Sequence, residues 1–160
     1  MEPVNLFRIE CAHDEGDPPG YGPGYVRLAE HLGSVGIGGT VYELPEEQSI
    51  CPYHYEYGNE EWLVVLAGRP TLRTPEGERG LEPGDLVCFR EGPEGAHKIT
   101  NRAGDLVRVL LLSTKNKPDV SVYPDTRQDR RLPRQQGRHA PLRAQLGRRL
   151  LRGRALISGG

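Results

Sequence analysis

The chain of 160 residues is 36% hydrophobic and 27% charged, which predicts one domain with a core of its own and leaves no room for two. No apolar run approaches the ~18 residues of a membrane span, and the first residues lack a secretory signal, so we expect a soluble, cytoplasmic protein. The net charge of −1 is the sum of two opposite charges, because residues 1–126 form an acidic body and residues 127–160 form a basic tail. Three widely spaced cysteines argue against a disulfide framework and fit a reducing compartment.

Short alternating or apolar runs, separated by Gly and Pro turns, predict that the body is a β-sandwich or β-barrel. In chain order we predict strands at 5–9, 39–44, 50–57, 60–67, 70–74, 78–82, 85–90, 96–101 and 106–113. One helical turn is expected near residues 26–32, and the Gly- and Pro-rich segment 14–24 is expected to be a loop that wraps the barrel. Turn sequences at 75–77 and 82–85 predict antiparallel pairing of the strands that they join.

Two histidines and two glutamates lie on these predicted strands. His54 and Glu56 alternate with tyrosines, so their side chains share one face of a strand, and Glu61 on the next strand can face them across a hairpin. Burying such groups costs free energy unless a cation compensates. An isolated His-x-Glu is more often a solvated cluster at a hairpin end, but the downstream His97 favours a metal. We therefore predict that His54, Glu56, Glu61 and His97 bind a divalent transition metal.

The spacing of these residues resembles the two sequence motifs of the cupin superfamily. The resemblance covers residues 35–115 and rests on His54, Glu61, Gly68, Gly84, His97 and Asn101. It departs from the family at Glu56, where cupins have a second histidine, and in the Pro-x-Gly element, which is either displaced, as Pro93-x-Gly95, or altered, as Arg90-x-Gly92. The resemblance implies an all-β fold, a double-stranded β-helix barrel of antiparallel strands, for a domain spanning residues 1–126. It is also similar to a group of small single-domain cupins that are functionally uncharacterised.

The departure at Glu56 affects the chemistry that the resemblance implies. A carboxylate in place of an imidazole makes the site harder, which favours Fe or Mn over Cu, weakens the case for tight Zn binding, and leaves Ni as a further candidate. Four protein ligands on an octahedral ion leave two positions for water, O₂ or substrate, which permits oxygenase, isomerase or lyase chemistry. The alternative is a non-catalytic cupin without a tightly bound metal, in which Glu56 and His97 bind a small molecule through hydrogen bonds. No sequence feature identifies a catalytic residue or a substrate.

A third class of function is a structural or interaction barrel. Tyr53, Tyr55, Tyr57 and Trp62 are predicted to form an aromatic outer face, which either packs within the chain or contacts a second subunit. Because cupins commonly dimerise, the resemblance implies a homodimer.

The tail, residues 127–160, has 10 arginines, one aspartate and no lysine, with no aromatic residues and no helical face. Its charge alone allows a nucleic-acid-binding arm. A GC-rich gene that is translated in the wrong reading frame also yields arginine without lysine, interspersed with Gln, Gly, Leu, Pro and Ala. We therefore favour the hypothesis that the tail is a frameshift product over the hypothesis that it binds nucleic acid. It predicts an extended or poorly packed tail, and a buried helix at residues 140–151 would contradict it. The coding DNA decides the matter.

Overall fold

A computed structural model describes residues 2–14, 16–125 and 132–133, and this part of the chain is almost entirely β-structure. Besides the short helix α1, Leu28–Leu32, and a 3-10 turn at Pro93–Gly95, it contains eleven strands. They are β1 Gly24–Arg27, β2 Ile37–Leu44, β3 Tyr55–Tyr57, β4 Glu61–Ala67, β5 Thr71–Thr74, β6 Gly77–Gly80, β7 Leu86–Phe89, β8 Lys98–Thr100, β9 Val107–Thr114, β10 Val120–Val122 and β11 Leu132–Pro133. The predicted all-β class is confirmed.

The strands form one large sheet and two small ones, and every pair is antiparallel. The large sheet has the order β1-β2-β9-β4-β7, and the small sheets have the orders β6-β5-β8 and β11-β10-β3. Two isolated bridges join the small sheets. One links Ser49 to Thr100 of β8, and the other links His54, just before β3, to His97, just before β8. The small sheets therefore act together as a second layer of the barrel.

The core lies between the two layers, because alternate residues of each strand point inward. In β9 the side chains of Val107, Val109 and Leu111 are buried against Leu72 and Ile99 of the small sheets. The intervening residues of β9 point to the outer face of the large sheet. There the second cluster contains Leu28, Val41 and Leu110, with Val4, Leu6 and Ile9 packed against it. The N-terminal segment and α1 therefore cover the outside of the large sheet.

The predicted strand at 5–9 is wrong. The Asn5 side chain accepts a hydrogen bond from the Phe7 N–H at 3.0 Å, and the Asn5 carbonyl accepts from Arg8 and Ile9. These bonds close a turn, so the turn chemistry of asparagine outweighs the apolar character of the segment. Of the predicted strand 50–57, only the last three residues form a strand, which is β3.

The helical turn expected near residues 26–32 is confirmed as α1, although residues 24–27 form the unpredicted strand β1. Residues 16–23 form the expected loop. In the predicted turn at 82–85, Gly84 has φ of 94° and the Asp85 N–H donates to the Glu82 carbonyl at 3.0 Å. The strand β10 was not predicted from the sequence.

Within the described part of the chain, no helix is long and apolar enough to cross a membrane. The predictions for residues 127–160, including the frameshift, the helix at 140–151 and the nucleic-acid arm, lie outside the described residues. The exception is Leu132–Pro133, whose backbone pairs with β10. The domain boundary at residue 126 stays a prediction.

Candidate metal centre

Three of the four predicted ligands converge inside the barrel. His54 and His97 lie opposite each other on the bridge between the small sheets, and Glu61 begins β4 in the large sheet. One ligand atom from each lies within 4.8 Å of the others. His97 is 1% exposed, Glu61 3% and His54 5%, so water is largely excluded from this group. The spacing seen in the sequence thus corresponds to a compact cluster of side chains that could hold a metal ion.

The two imidazoles are oriented by the same kind of hydrogen bond. The Nδ1 atom of His54 lies 3.1 Å from the carbonyl oxygen of Pro52, and Nδ1 of His97 lies 2.9 Å from that of Gly95. A carbonyl only accepts, so each of these bonds requires the proton on Nδ1, which leaves the lone pair of a neutral ring on Nε2. At His54 the Cys51 thiol also lies 3.3 Å from Nδ1. Metal-binding histidines typically make such a hydrogen bond from the ring nitrogen that does not bind the metal, because it fixes the tautomer and the orientation of the ring.

The environment of His97 Nε2 tests whether the residues present suit a metal. This buried atom has no hydrogen-bond partner among the described residues, and Oε2 of Glu61 lies 3.6 Å away. A buried nitrogen lone pair without a partner costs free energy, and a cation bound between the nitrogen and the carboxylate removes that cost. The group therefore fits a divalent metal.

An aromatic ring lies against each imidazole. The ring of Phe89 stacks on His97, with 3.7 Å between centroids and an interplanar angle of 10°. The ring of Tyr123 stacks on His54 at 5.6 Å and 20°. Together with the hydrogen bonds at Nδ1, these contacts restrict rotation of both imidazoles.

Two of the motif glycines are required by close backbone contacts. A Cβ atom at Gly95 would lie 1.7 Å from the carbonyl oxygen of Arg90, so only glycine permits the 3-10 turn that leads to His97. Gly68 has φ of 75°, and a Cβ there would lie 2.7 Å from the carbonyl oxygen of Leu106. These residues support the site through the backbone and do not themselves bind a ligand.

Glu56 is placed differently from the other three predicted ligands. It is 3% exposed and shares the interior face with His54, as strand alternation predicts, but it is not part of the convergent group. In the register of β3 and β10 it lies opposite Ser121, whose hydroxyl group donates a hydrogen bond of 3.2 Å to Glu56 Oε1. Its role as a fourth ligand stays a prediction.

Ser121 and Tyr123 also adjoin this site and were not predicted from the sequence. The signal was present as alternation in residues 119–123, where Val120 and Val122 separate Asp119, Ser121 and Tyr123. The side chain of Ser121 points toward Glu56, because the two residues lie opposite each other. The side chain of Tyr123 points toward His54, because both residues follow one step further in the same register.

The residues of the predicted aromatic outer face divide between packing within the chain and exposure. Tyr53 is only 8% exposed, because the guanidinium group of Arg73 lies 4.0 Å from the centre of its ring. Tyr57 is 47% and Trp62 42% exposed, but they belong to different sheets, β3 and β4. Homodimer formation stays a prediction, which the molar mass of the protein in solution tests.

Burial lowers the pKa of His97 from its usual 6.5 to about 4, although the bond to the Gly95 carbonyl opposes this shift. His97 is therefore neutral near pH 7, as a metal ligand must be.

The lowered pKa of His97 predicts that the metal-free protein loses stability in mild acid. Between pH 6.5 and 4 the unfolded chain binds more protons at this residue than the folded chain does, so the free energy of unfolding falls as the pH falls. We expect a loss of about 2 kcal/mol from pH 7.5 to 4.5. Urea denaturation in EDTA measures it, and the variant His97→Gln corrects for the titration of carboxylates. Equal pH dependence of both proteins would contradict the expectation.

Solved structures of three other proteins share this fold. A protein provisionally named as a sugar phosphate isomerase, from Acidithiobacillus ferrooxidans, is 25% identical with a TM-score of 0.67, and the match covers 75% of this chain and 77% of that chain. A sugar phosphate isomerase from a cupin superfamily, from Silicibacter pomeroyi, is 23% identical with a TM-score of 0.68 and coverage of 78% and 83%. A polyketide cyclase from Streptomyces resistomycificus is 19% identical with a TM-score of 0.59 and coverage of 81% and 89%. No protein-family profile matches the chain, and no curated protein matches it significantly in sequence.

The fold and the buried cluster define a small antiparallel β-barrel with a candidate metal centre in its interior. Solved structures of cupin proteins share this architecture, and the motif residues lie where the resemblance places them. The chain therefore has the cupin fold.

Proposed function

We propose that this cupin binds one divalent metal through His54, Glu61 and His97 and is a metal-dependent enzyme that acts on a small polar molecule. The observation that carries the proposal is the buried Nε2 atom of His97, which faces Glu61 Oε2 at 3.6 Å and has no other partner in the described part of the chain. Fe, Mn, Ni and Zn are the candidate ions, since all of them accept imidazole and carboxylate ligands.

The ligand set supports catalysis as well as binding. Three protein ligands leave open positions on an ion of coordination number four to six, and Glu56 fills one of them if it is the fourth ligand. A bound ion of this kind supplies Lewis acidity, which polarises a carbonyl or hydroxyl oxygen of a substrate. The chain contributes a dry, polar environment, in which Ser121 orients the carboxylate of Glu56.

The names of two structural relatives suggest a first class of substrate. Proteins 25% and 23% identical to this chain are named as sugar phosphate isomerases, one of them provisionally. A sugar phosphate is small and polar, and its hydroxyl and carbonyl oxygens suit a hard divalent ion. We therefore propose sugar phosphates as the first substrates to test.

Metal analysis of protein purified without chelator tests the proposal. We expect about one Fe, Mn, Ni or Zn per chain, or its uptake after reconstitution. Aldose–ketose interconversion is then measured by proton NMR on a panel of sugar phosphates with the loaded and the EDTA-stripped protein. Failure to bind any of these ions would overturn the metal centre. Binding of metal without turnover of any small polar molecule would favour the non-catalytic cupin.

A further inference from the structure

We propose that Tyr123 is a positioning residue of the metal centre, whose ring holds the His54 imidazole in the orientation that binds the ion. The inference rests on the proposed metal site and extends it to the chain beyond β9, which includes none of the predicted ligands. The contact itself is the ring stack between Tyr123 and His54 at 5.6 Å and 20°.

The register of β10 explains why Tyr123 reaches His54. In the antiparallel pair of β10 and β3, Ser121 lies opposite Glu56 and Val122 lies opposite Tyr55. One further step along both strands places Tyr123 opposite His54. Because side chains alternate, residues 121 and 123 share the interior face with residues 54 and 56. The last part of the barrel thus contributes a row of side chains directly beside the predicted ligands.

The ring stacked on His54 comes from a different part of the barrel than the ring stacked on His97. Each imidazole has one hydrogen bond from Nδ1 to a backbone carbonyl, and each has one stacked ring. For His97 the ring belongs to Phe89, which is 4% exposed in the main core cluster. His54 precedes β3 and pairs with His97 through a bridge, and the Cys51 thiol lies 3.3 Å from its Nδ1. Its stacked ring comes from Tyr123, so the orientation of His54 depends on the docking of β10.

The chain is attached on both sides of Tyr123. Before it, β10 pairs with β3. After it, Asp125 accepts two hydrogen bonds from the guanidinium group of Arg73, at 2.5 and 3.0 Å. The same guanidinium group covers the ring of Tyr53, the residue next to His54. These contacts hold Tyr123 at a fixed distance from the imidazole, as a positioning role requires.

Titration of the metal-free protein with Co²⁺ tests the proposal, with affinity and the visible absorption spectrum as two readouts. Residues that orient a metal-binding histidine typically contribute 10- to 100-fold to affinity, and we expect about a 10-fold loss for Tyr123→Ala. Because the proposal assigns the role to the ring, Tyr123→Phe is expected to keep the affinity within about twofold. The matched control is Tyr57→Ala, which removes an exposed tyrosine from β3. It is expected to bind Co²⁺ as the unchanged protein does.

Two outcomes would overturn this role for Tyr123. One is an unchanged affinity and spectrum in Tyr123→Ala, and another is an equal loss in Tyr123→Phe, which would assign the effect to the hydroxyl group. All titrations are made below the unfolding temperature of the least stable variant, with Tyr123→Leu as a second test if the alanine variant does not fold. Failure of the unchanged protein to bind Co²⁺ or any candidate ion would remove the proposed metal centre itself, whereas loss of the Tyr123 effect alone leaves that centre in place.

Discussion

Replacing His97 with alanine is expected to abolish tight binding of a divalent metal and to leave the barrel folded. The imidazole belongs to one of the three buried residues proposed as ligands, whose ligand atoms lie within 4.8 Å of one another. Residues that merely orient a ligand contribute up to about 100-fold, so removal of a ligand should lower the affinity by more than about 100-fold. The fold should survive, because the substitution also removes a buried nitrogen without a hydrogen-bond partner in the described structure.

The measurement is a competition titration with a chelator of known affinity, together with thermal unfolding of the metal-free proteins. His31→Ala is the control, since His31 is exposed on α1 and is not part of the cluster. An affinity for metal in His97→Ala close to that of the control would contradict the assigned site. Loss of folding in the metal-free variant would instead show that the imidazole is mainly a packing residue on Phe89.

The same titration decides the role of Glu56. If it is a fourth ligand, Glu56→Gln should weaken binding by an amount similar to Glu61→Gln. If it lies outside the coordination shell, as its absence from the convergent group suggests, the loss should stay below about 10-fold. The amide of glutamine keeps the size of the side chain and can still accept the hydrogen bond from Ser121, so folding should be preserved in both variants.

The interior positions of the candidate site could be predicted because β-strands have a period of two. The alternation of residues 54–56 and the place of Glu61 in β4 put three carboxylates and imidazoles on inward faces, and all three are buried. The sequence could not show that Glu56 faces Ser121 while His54, Glu61 and His97 converge. That difference depends on which strand pairs with β3, and a residue pattern does not contain such a long-range pairing.

The errors in the prediction have local and tertiary causes. The segment 5–9 has strand-like apolar residues, but hydrogen bonds to Asn5 close a turn there. The side chain of Tyr53 points outward, as alternation with the interior His54 predicts. It is nevertheless buried, because the guanidinium group of Arg73 covers its ring. β10 is only three residues long and lies between Pro118 and Pro124, which hid its alternation among turn signals.

Asn101→Ala is expected to destabilise the barrel strongly without removing a metal ligand. Asn101 is fully buried, and its Nδ2 donates to the carbonyl oxygens of Leu44 and Asp105 at 2.9 and 2.8 Å. Its Oδ1 accepts the N–H of Ala103 at 3.0 Å. The side chain thus joins the end of β2 to the loop between β8 and β9.

Alanine would leave these three backbone groups without the side-chain partner that they now have. The Leu44 carbonyl is buried, and leaving such a group unsatisfied costs about 1–3 kcal/mol, whereas Ala103 and Asp105 are exposed residues whose groups water can reach at a smaller cost. We therefore expect a loss of about 3 kcal/mol in the free energy of unfolding. For a domain of this size that corresponds to roughly 10 °C in Tm. Urea and thermal denaturation of the metal-free protein measure the change.

Two further variants show whether the donor groups of Asn101 carry the effect. Asn101→Asp has nearly the same shape but places a carboxylate against two carbonyl oxygens, so it should be at least as unstable as the alanine variant. Asn116→Ala removes a single hydrogen bond to the Gly58 carbonyl at an exposed position and should cost less than about 1 kcal/mol. A small effect of Asn101→Ala, or a stable Asn101→Asp, would show that packing alone closes this part of the barrel. Because His97 and its partners are unchanged, Asn101→Ala measured below its Tm should still bind metal, which is the reverse of the result expected for His97→Ala.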